Sequence, residues 1–233
     1  MNNIYAIILS GGIGSRMGSS LPKQFLKLKG LPILAHSVQR FVNWGLCKSL
    51  VIVSHPNYIE ITEEILSPYL GVNDKIIEGG QTRHESFLNG IKALNLNNDI
   101  IFIHDAARPF FTQKELFELV DTTLKWGSAS LGVKPTETLV LAEEDKTQQI
   151  LPREKIYLIK TPQCLHSSLL DILLLEEKEE SHPTDLCSWA LSKKIFTRIV
   201  DSNPYNMKIT QKEDLQIAEV LYPLFESWSK QHS

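Results

Sequence analysis

The chain alternates repeatedly between short apolar, β-branched runs and segments in which apolar residues recur with helical spacing. Strand-like runs at Ile4–Leu9, Leu50–Ser54 and Asp99–His104 alternate with helical segments such as Ile33–Trp44 and Gln113–Trp126. Strands separated by helices of this length usually pair in parallel, and the helices then cover the sheet. The sequence therefore predicts an α/β fold with a mostly parallel sheet and helices on both faces.

The same alternation, less strongly marked, predicts the remaining elements. Further helices are expected over Tyr58–Leu70, Thr82–Leu94 and Ser167–Lys178, from Asp185 and from Lys212. Further strands are expected at Lys75–Glu78, Ala129–Val133, Ile156–Lys160 and Lys194–Val200, with a short apolar strand within Asn206–Thr210. A chain of 233 residues fits one α/β domain, so we expect a single domain over 1–233.

The alternation stops at about 134–153. Thr138–Ala142 and Gln149–Leu151 have the composition of strands and flank a polar turn at Glu143–Thr147, with no helix between them. An isolated hairpin of this kind buries little apolar surface by itself. We therefore predict a β-arm that packs on another surface, with a second subunit as the expected partner.

Charge and cysteine content narrow the class of protein. A formal net charge of −3 argues against general nucleic-acid binding, but it allows a local basic pocket for a small polyanion. The three cysteines, Cys47, Cys164 and Cys187, are far apart and favour reduced thiols over a zinc site or disulfides. The N-terminal segment lacks the basic region of a signal peptide, and no apolar run is long enough to span a bilayer. We expect a cytoplasmic protein.

The most informative loop runs from Ser10 to Gly18 and follows the first predicted strand. Clustered glycines allow backbone N–H groups to approach an anion, and Arg16 and Lys23 add two cations. Met17 stands where a dinucleotide-binding fingerprint needs its third glycine, and no Gly-Lys-Ser/Thr follows as in a Walker loop. The pattern favours a phosphate-binding loop, while a glycine-rich turn with two solvated cations remains the alternative.

Three further clusters follow later strands, and the carboxyl ends of parallel strands lie at one edge of a sheet. Gly79–Ser86 opens a helix and offers N–H groups, a hydroxyl and Arg83, although Thr82 is equally suited to cap that helix. His104–Pro109 combines a carboxylate with a guanidinium, which suits a metal–phosphate contact, a ribose contact or a local ion pair. Asn206–Thr210 places a lysine among apolar residues, where it needs an anion or a route to solvent.

Taken in order, these segments resemble one known family. The motifs G-G-I-G-S-R-M-G, L-P-K-Q-F, G-G-x-x-R-x-x-S, H-D-A-A-R-P, K-T-P-Q and N-M-K-I-T are similar to those of the methylerythritol-phosphate cytidylyltransferases, which act in bacterial isoprenoid precursor synthesis. Close relatives of that family activate ribitol 5-phosphate. The resemblance implies a Rossmann-like domain whose β-arm forms a homodimer. It also implies transfer of CMP from CTP to a small polyol phosphate, with Mg²⁺ or another divalent cation held mainly by the CTP phosphates.

The resemblance also implies roles for individual residues. The catalytic cations would be Arg16, Lys23, Arg153 and Lys208, with Arg153 reaching the site of the partner subunit. CTP would contact Ser10, Gly11, Gly12, Gly14, Gly80, Arg83, Ser86, Asp105 and Ala106. The polyol phosphate would contact Asp105, Arg108, Thr161 and Thr184. Because the attacking phosphate oxygen is already an anion, the reaction needs positioning and charge neutralisation and no deprotonating base.

Two features leave the acceptor open. Cys187, after Thr184 and Asp185, and Gly11 in place of alanine are more typical of the ribitol-phosphate relatives. The segments H-D-A-A-R-P, R-H-E-S-F-L-N-G and V-K-P-T-E-T-L are more typical of the methylerythritol enzymes, and we favour methylerythritol phosphate. Two other classes are disfavoured. A nicotinamide-dependent oxidoreductase should have an acidic residue after the second strand, where Ser54-His55-Pro56 stands. A non-catalytic nucleotide sensor should have lost a phosphate-side cation.

Overall fold

The computed structural model describes residues 2–12, 21–175 and 183–232. Its strands are β1 Ile4–Ser10, β2 Lys27–Leu28, β3 Leu31–Pro32, β4 Cys47–Ser54, β5 Lys75–Glu78, β6 Ile100–Asp105, β7 Ser128–Val133, β8 Leu139–Glu143, β9 Lys146–Leu151, β10 Leu158–His166 and β11 Arg198–Asp201. Its α-helices are α1 Ile33–Trp44, α2 Ile59–Leu66, α3 Arg83–Lys92, α4 Gln113–Trp126, α5 Leu170–Leu173, α6 Leu186–Ser192 and α7 Lys212–Gln231.

Seven strands form one central sheet in the order β11-β7-β10-β6-β1-β4-β5. β1 pairs in parallel with β4 and β6, β4 with β5, and β7 with β11. Only β10 runs antiparallel to its neighbours β6 and β7 within this sheet. The prediction of a mostly parallel sheet is confirmed.

Apolar residues of β1 alternate between the two faces of the sheet, as expected from the period of two residues in a strand. Ala6 and Ile8 belong to a core cluster that includes residues of α1, α2 and α4. Ile7 belongs to a second cluster with residues of α3, α5 and α6. The helices therefore cover both faces, which is also confirmed. In the described part of the chain, no helix is both long enough and apolar enough to cross a membrane.

β8 and β9 form a separate two-stranded antiparallel hairpin, which is the predicted arm. Its turn is shorter than the predicted Glu143–Thr147, because Glu144 and Asp145 both adopt positive φ values of 48° and 61°. Two consecutive residues with positive φ close a two-residue hairpin, so both strands continue closer to the tip. Val140 and Ile150 pair across the hairpin, and their exposures are 46% and 68%.

The prediction of a strand at Ile156–Lys160 was wrong in extent, because β10 continues to His166. This longer strand contains Pro162, although proline cannot donate a hydrogen bond to a sheet. The structure accommodates it at an irregularity in the pairing with β7, where the register shifts between Ile159 and Gln163.

Four other predicted elements also differ from the structure. Asn206–Thr210 is not a strand, because the Asn206 N–H bonds to the nearby Asn203 carbonyl rather than to another strand. The last edge strand begins at Arg198 rather than at Lys194, whose φ is +60° and whose N–H bonds to the end of α6. The helix expected over Tyr58–Leu70 is limited to α2. In the described part of the range Ser167–Lys178, the predicted helix is replaced by a 3₁₀ turn followed by the short helix α5.

Candidate active site

The loops after β1, β4, β5 and β6 open onto one cavity of about 570 Å³ at the carboxyl edge of the sheet. This is the edge at which parallel α/β sheets bind ligands. The predicted site residues that line the cavity are Ser10, Gly11, Gly12, Lys23, Gly80, Arg83, Ser86, Asp105, Ala106 and Lys208. The structure thus brings together residues from five separate parts of the chain.

Asp105, the last residue of β6, is the centre of charge in this cavity. Arg83 donates to Asp105 Oδ1 from Nε at 3.0 Å and from Nη2 at 2.8 Å, and Lys208 Nζ donates to Oδ2 at 2.7 Å. Arg108 Nε lies 3.9 Å from Oδ2. Burial alone would raise the pKa of Asp105, but the charges of Arg83, Lys208 and Arg108 hold it well below its usual range. The carboxylate is therefore ionised and fixes three cations around itself.

A buried network supports Asp105 from below. Thr161 Oγ1 accepts a bond from the Asp105 N–H at 3.1 Å and lies 3.1 Å from His104 Nδ1. The Arg108 carbonyl, 3.1 Å from His104 Nε2, can only accept, so Nε2 carries a proton, and in the neutral ring Nδ1 then accepts from the threonine hydroxyl. Burial lowers the pKa of His104 to about 3, so the ring is neutral. The residue thus orients the Asp105–Arg108 turn without carrying charge.

Lys208 reaches the cavity from an irregular segment beside the sheet. The N–H of Ile209 donates to the Ala107 carbonyl at 2.9 Å, which ties this segment to the turn after β6. Asn206 is 1% exposed, and its side-chain amide donates to the Thr161 carbonyl at 3.1 Å. These two bonds place Lys208 over Asp105.

The glycine segment before α3 combines helix capping with cavity lining. Thr82 accepts the Glu85 N–H at 3.0 Å and so caps the helix. The Gly80 N–H donates to Ser86 Oγ at 3.1 Å, and a Cβ atom at Gly80 would lie 2.3 Å from Glu85 Cβ. Thr82 therefore caps the helix as predicted, and Gly80 is required for the close approach of the loop to α3.

The sequence of this chain matches the model of a known protein family over nearly its whole length. The model described as IspD, 2-C-methyl-D-erythritol 4-phosphate cytidylyltransferase, matches residues 4–223. This chain belongs to that family. The resemblance inferred from the motifs is confirmed.

Individual relatives agree with the family match. The 2-C-methyl-D-erythritol 4-phosphate cytidylyltransferase of Leptospira borgpetersenii serovar Hardjo-bovis is 47% identical over 224 residues, which cover 96% of this chain and 95% of the relative. The protein of the same name from Leptospira interrogans is 48% identical over 227 residues, covering 97% and 95%. A solved structure from Anaerococcus prevotii, named 4-diphosphocytidyl-2C-methyl-D-erythritol synthase, has a TM-score of 0.82 at 24% identity, covering 95% of this chain and 96% of that chain. That structure confirms the Rossmann-like fold.

Several residues predicted for this cytidylyltransferase site lie outside the cavity lining. Arg108 and Thr161 stand beside and beneath Asp105, and Thr161 is only 4% exposed. Thr184 is exposed next to the N-cap of α6, where its hydroxyl lies 3.5 Å from Ser188 Oγ. Arg153 follows the arm, and its Nη1 donates to the Thr136 carbonyl at 2.6 Å. Gly14 and Arg16 lie outside the described residues.

The cytidylyltransferase cavity also contains residues that the sequence analysis missed. His55, Pro56 and Asn57 line it from the loop after β4, and Gln24 lines it beside Lys23. His55, Pro56 and Asn57 follow the carboxyl end of the parallel strand β4. The sequence-based prediction used this position for the loops after β1, β5 and β6, but not for the loop after β4. Gln24 belongs to the L-P-K-Q-F motif, but only its neighbour Lys23 was given a role.

The side chains of this family member offer little to a metal ion. Among residues 2–12, 21–175 and 183–232, no group of three or more His, Cys, Asp or Glu side chains is arranged to hold one. Asp105 is the carboxylate in the described cavity lining, and both of its oxygens accept bonds from cations. The residues present therefore fit a cation that takes most of its ligands from a bound molecule.

Proposed function

We propose that this chain transfers CMP from CTP to the phosphate of 2-C-methyl-D-erythritol 4-phosphate, giving CDP-methylerythritol and pyrophosphate for isoprenoid precursor synthesis. The observation that carries the proposal is the composition of the cavity. Its described lining has three cationic side chains, Lys23, Arg83 and Lys208, against the single carboxylate Asp105. Such an excess of positive charge suits a ligand that combines a triphosphate with a second phosphate group.

The two ends of the cavity differ in charge. At the β6 end, Arg83 and Lys208 meet on Asp105, whereas the described loops after β4 and β5 present uncharged backbone and the residues His55 and Asn57. A nucleotide bound along this edge would place its phosphates at the cationic end and its base at the other. In this arrangement CTP contacts Ser10, Gly11, Gly12, Gly14, Gly80, Arg83, Ser86, Asp105 and Ala106.

The reaction is an in-line displacement at the α-phosphorus. An oxygen of the acceptor phosphate forms the new P–O bond, and the bond to the β-phosphate breaks and releases pyrophosphate. Lys23 and Arg16 neutralise charge on the α-phosphate and the leaving group, where negative charge increases in the transition state. Lys208, with Arg153 of a second subunit, holds the acceptor phosphate and aims its oxygen.

The polyol is proposed to lie between Asp105, Arg108, Thr161 and Thr184. Asp105 presents carboxylate oxygens at the cavity surface that can accept bonds from hydroxyl groups. Arg108 acts from behind the carboxylate, since its buried Nε lies 3.9 Å from Asp105 Oδ2 and adds positive charge there. Thr161, whose hydroxyl is already bonded to His104 and to the backbone of Asp105, acts by fixing that carboxylate.

Mg²⁺ is the proposed cofactor. Magnesium at nucleotide sites commonly takes one or two carboxylates together with substrate phosphates and water. Asp105 is the carboxylate that the described lining offers, so the phosphates of CTP would supply most of the ligands. When bound, the ion would neutralise phosphate charge.

The arm is proposed to form a homodimer. Val140, Leu141 and Ile150 are all more than 45% exposed on a hairpin that packs on no other strand of the described chain. Covering these residues would remove apolar surface from water, and a second copy is the proposed cover. The dimer would also carry Arg153, at the base of the arm, towards the neighbouring site.

A reducing cytoplasm is the proposed location. All three cysteines are free thiols, which suits that compartment. Burial raises the pKa of Cys164 to about 12 and that of Cys187 to about 11, so neither is an activated thiolate.

The test is release of pyrophosphate from CTP and Mg²⁺, with methylerythritol 4-phosphate and ribitol 5-phosphate assayed in parallel. We expect release with both substrates present and the higher kcat/KM with methylerythritol 4-phosphate. A higher kcat/KM with ribitol 5-phosphate would reassign the acceptor. No release with either acceptor would reject the proposed reaction.

A further inference from the structure

Gln24 is a buried polar side chain beside the cavity to which neither the motifs nor the mechanism assigns a role. It lies in a 3₁₀ turn at Lys23–Phe25 and is only 2% exposed. Its Nε2 donates to the Ser10 carbonyl at 2.7 Å and to the Gly12 carbonyl at 3.0 Å. One amide group therefore bonds the carbonyls on both sides of Gly11.

These two bonds determine how the glycine loop presents its peptide groups. A loop that binds an anion needs its N–H groups towards the ligand and its carbonyl oxygens directed elsewhere. The peptide group is planar and trans, so a Ser10 carbonyl that points at Gln24 turns the following Gly11 N–H to the opposite side. The amide of Gln24 also satisfies two carbonyl oxygens whose negative ends would otherwise repel a phosphate.

Glutamine suits this position because of its length and its donors. One uncharged nitrogen provides both N–H groups, whereas a carboxylate would only accept and methionine offers no donor. The same residue follows Lys23 directly, and its turn is closed by the bond from the Phe25 N–H to the Pro22 carbonyl at 3.0 Å. Gln24 thus joins the glycine loop to the turn that carries Lys23.

We infer that Gln24 is a positioning residue for CTP, which sets the orientation of the Ser10–Gly12 backbone and its spacing from Lys23. This inference rests on the proposed function, since it takes CTP as the ligand of this loop. It predicts that loss of the amide weakens the use of CTP and leaves the affinity for the polyol phosphate largely intact.

The test uses the variants Gln24→Met, which keeps the size and removes both donors, and Gln24→Asn, which keeps the amide but is one methylene shorter. We expect Gln24→Met to raise the KM for CTP by about tenfold or more, because the buried Ser10 carbonyl and the Gly12 carbonyl lose their shared donor. Gln24→Asn should raise it less. The KM for the acceptor should stay within about twofold in both variants. The matched control is Gln113→Met, since Gln113 donates to the Asn43 carbonyl at 3.1 Å on the exposed surface.

Calorimetric titration of CTP alone into each variant, with thermal unfolding in parallel, completes the test. Weaker CTP binding in folded Gln24 variants supports the inference. It is overturned if CTP binding is unchanged, if the KM values of both substrates rise equally, or if both variants fail to fold. Failure of the wild-type protein to release pyrophosphate would instead reject the proposed reaction, and the two results are therefore distinguishable.

Discussion

Lys208 Nζ lies 2.7 Å from Asp105 Oδ2, although the two residues are 103 positions apart in the chain. This contact joins the end of β6 to the segment before α7. Asp105 Oδ1 is bonded to Arg83, so the carboxylate holds one cation on each oxygen. Asp105 thereby keeps both cations at the cavity surface before any phosphate is bound.

Lys208 should act mainly on the acceptor phosphate. We expect Lys208→Gln to lower kcat/KM for the polyol phosphate by about 10²–10³, because it removes a cation that contacts the acceptor in the transition state. CTP binding measured without acceptor should change little. Lys212→Gln, an exposed lysine at the start of α7, is the control. Unchanged acceptor kinetics in Lys208→Gln would remove this lysine from the mechanism.

Lys23 should act mainly on the chemical step. Lys23→Ala is expected to reduce kcat by about 10²–10³, which is the typical effect of removing one donor aimed at developing negative charge. The exposed Lys27→Ala in β2 should behave like the wild-type protein. The measurement is single-turnover formation of product at saturating CTP, and a nearly normal rate in Lys23→Ala would reject the assigned role.

Strongly periodic elements with clear end signals could be predicted to the residue. α1 and α4 have the predicted bounds, since each ends at a glycine, Gly45 or Gly127, in the left-handed conformation. Thr112 begins α4 with a capping box, in which Thr112 accepts the Glu115 N–H and the Glu115 side chain accepts the Thr112 N–H. Short-range sequence patterns were sufficient to predict these helices because the residues that start or stop them are their immediate neighbours in the chain.

Features that depend on distant partners could not be predicted in this way. β10 passes through Pro162 because β6 and β7 pair with it on both sides, which a local pattern does not reveal. Lys208 was placed in a strand, whereas its segment is held by the Ala107 and Thr161 carbonyls. The clustering of motifs indicated one site, but the pairing of cations with Asp105 depends on the packing of the whole sheet.

Arg153 tests the proposed dimer. We expect Arg153→Gln and Lys23→Ala to be nearly inactive separately, whereas a mixed dimer of the two should recover about half of the wild-type turnover. One of its two sites would combine an intact Lys23 with an intact Arg153 from the other subunit. Differently tagged chains, expressed together and purified on both tags, provide the sample. An inactive mixed dimer would place Arg153 in its own subunit's site, whereas near-normal turnover of Arg153→Gln alone would place it outside the mechanism.

His104 should make the folded protein less stable as the pH falls. Its pKa is lowered from 6.5 to about 3 by burial, so between these values the unfolded chain binds a proton that the folded chain does not. Stability is therefore lost as the pH falls below about 6.5, by about 2 kcal/mol at pH 5 relative to pH 7.5. The free energy of unfolding, measured with urea at both pH values, should fall less in His104→Gln than in the wild-type protein. The difference should be similar to the loss assigned to His104. The control variant His232→Gln, at an exposed position, should lose as much stability as the wild-type protein. An equal loss in the wild type, His104→Gln and His232→Gln would contradict the assignment of this pH dependence to His104.

Two glycines of the cavity should respond differently to the same substitution. A Cβ at Gly11 would have Ser86 Oγ as its nearest neighbour at 3.7 Å, an ordinary contact, so Gly11→Ala should keep the KM for CTP within about threefold. A Cβ at Gly80 would lie 2.3 Å from Glu85 Cβ and 3.1 Å from the Glu85 carbonyl carbon, so the loop must move away from α3. Gly80→Ala should therefore raise the KM for CTP by about tenfold and lower the thermal unfolding midpoint. Because each variant is the control for the other, equal effects of the two substitutions would show that the close contact between Gly80 and Glu85 does not shape the nucleotide site.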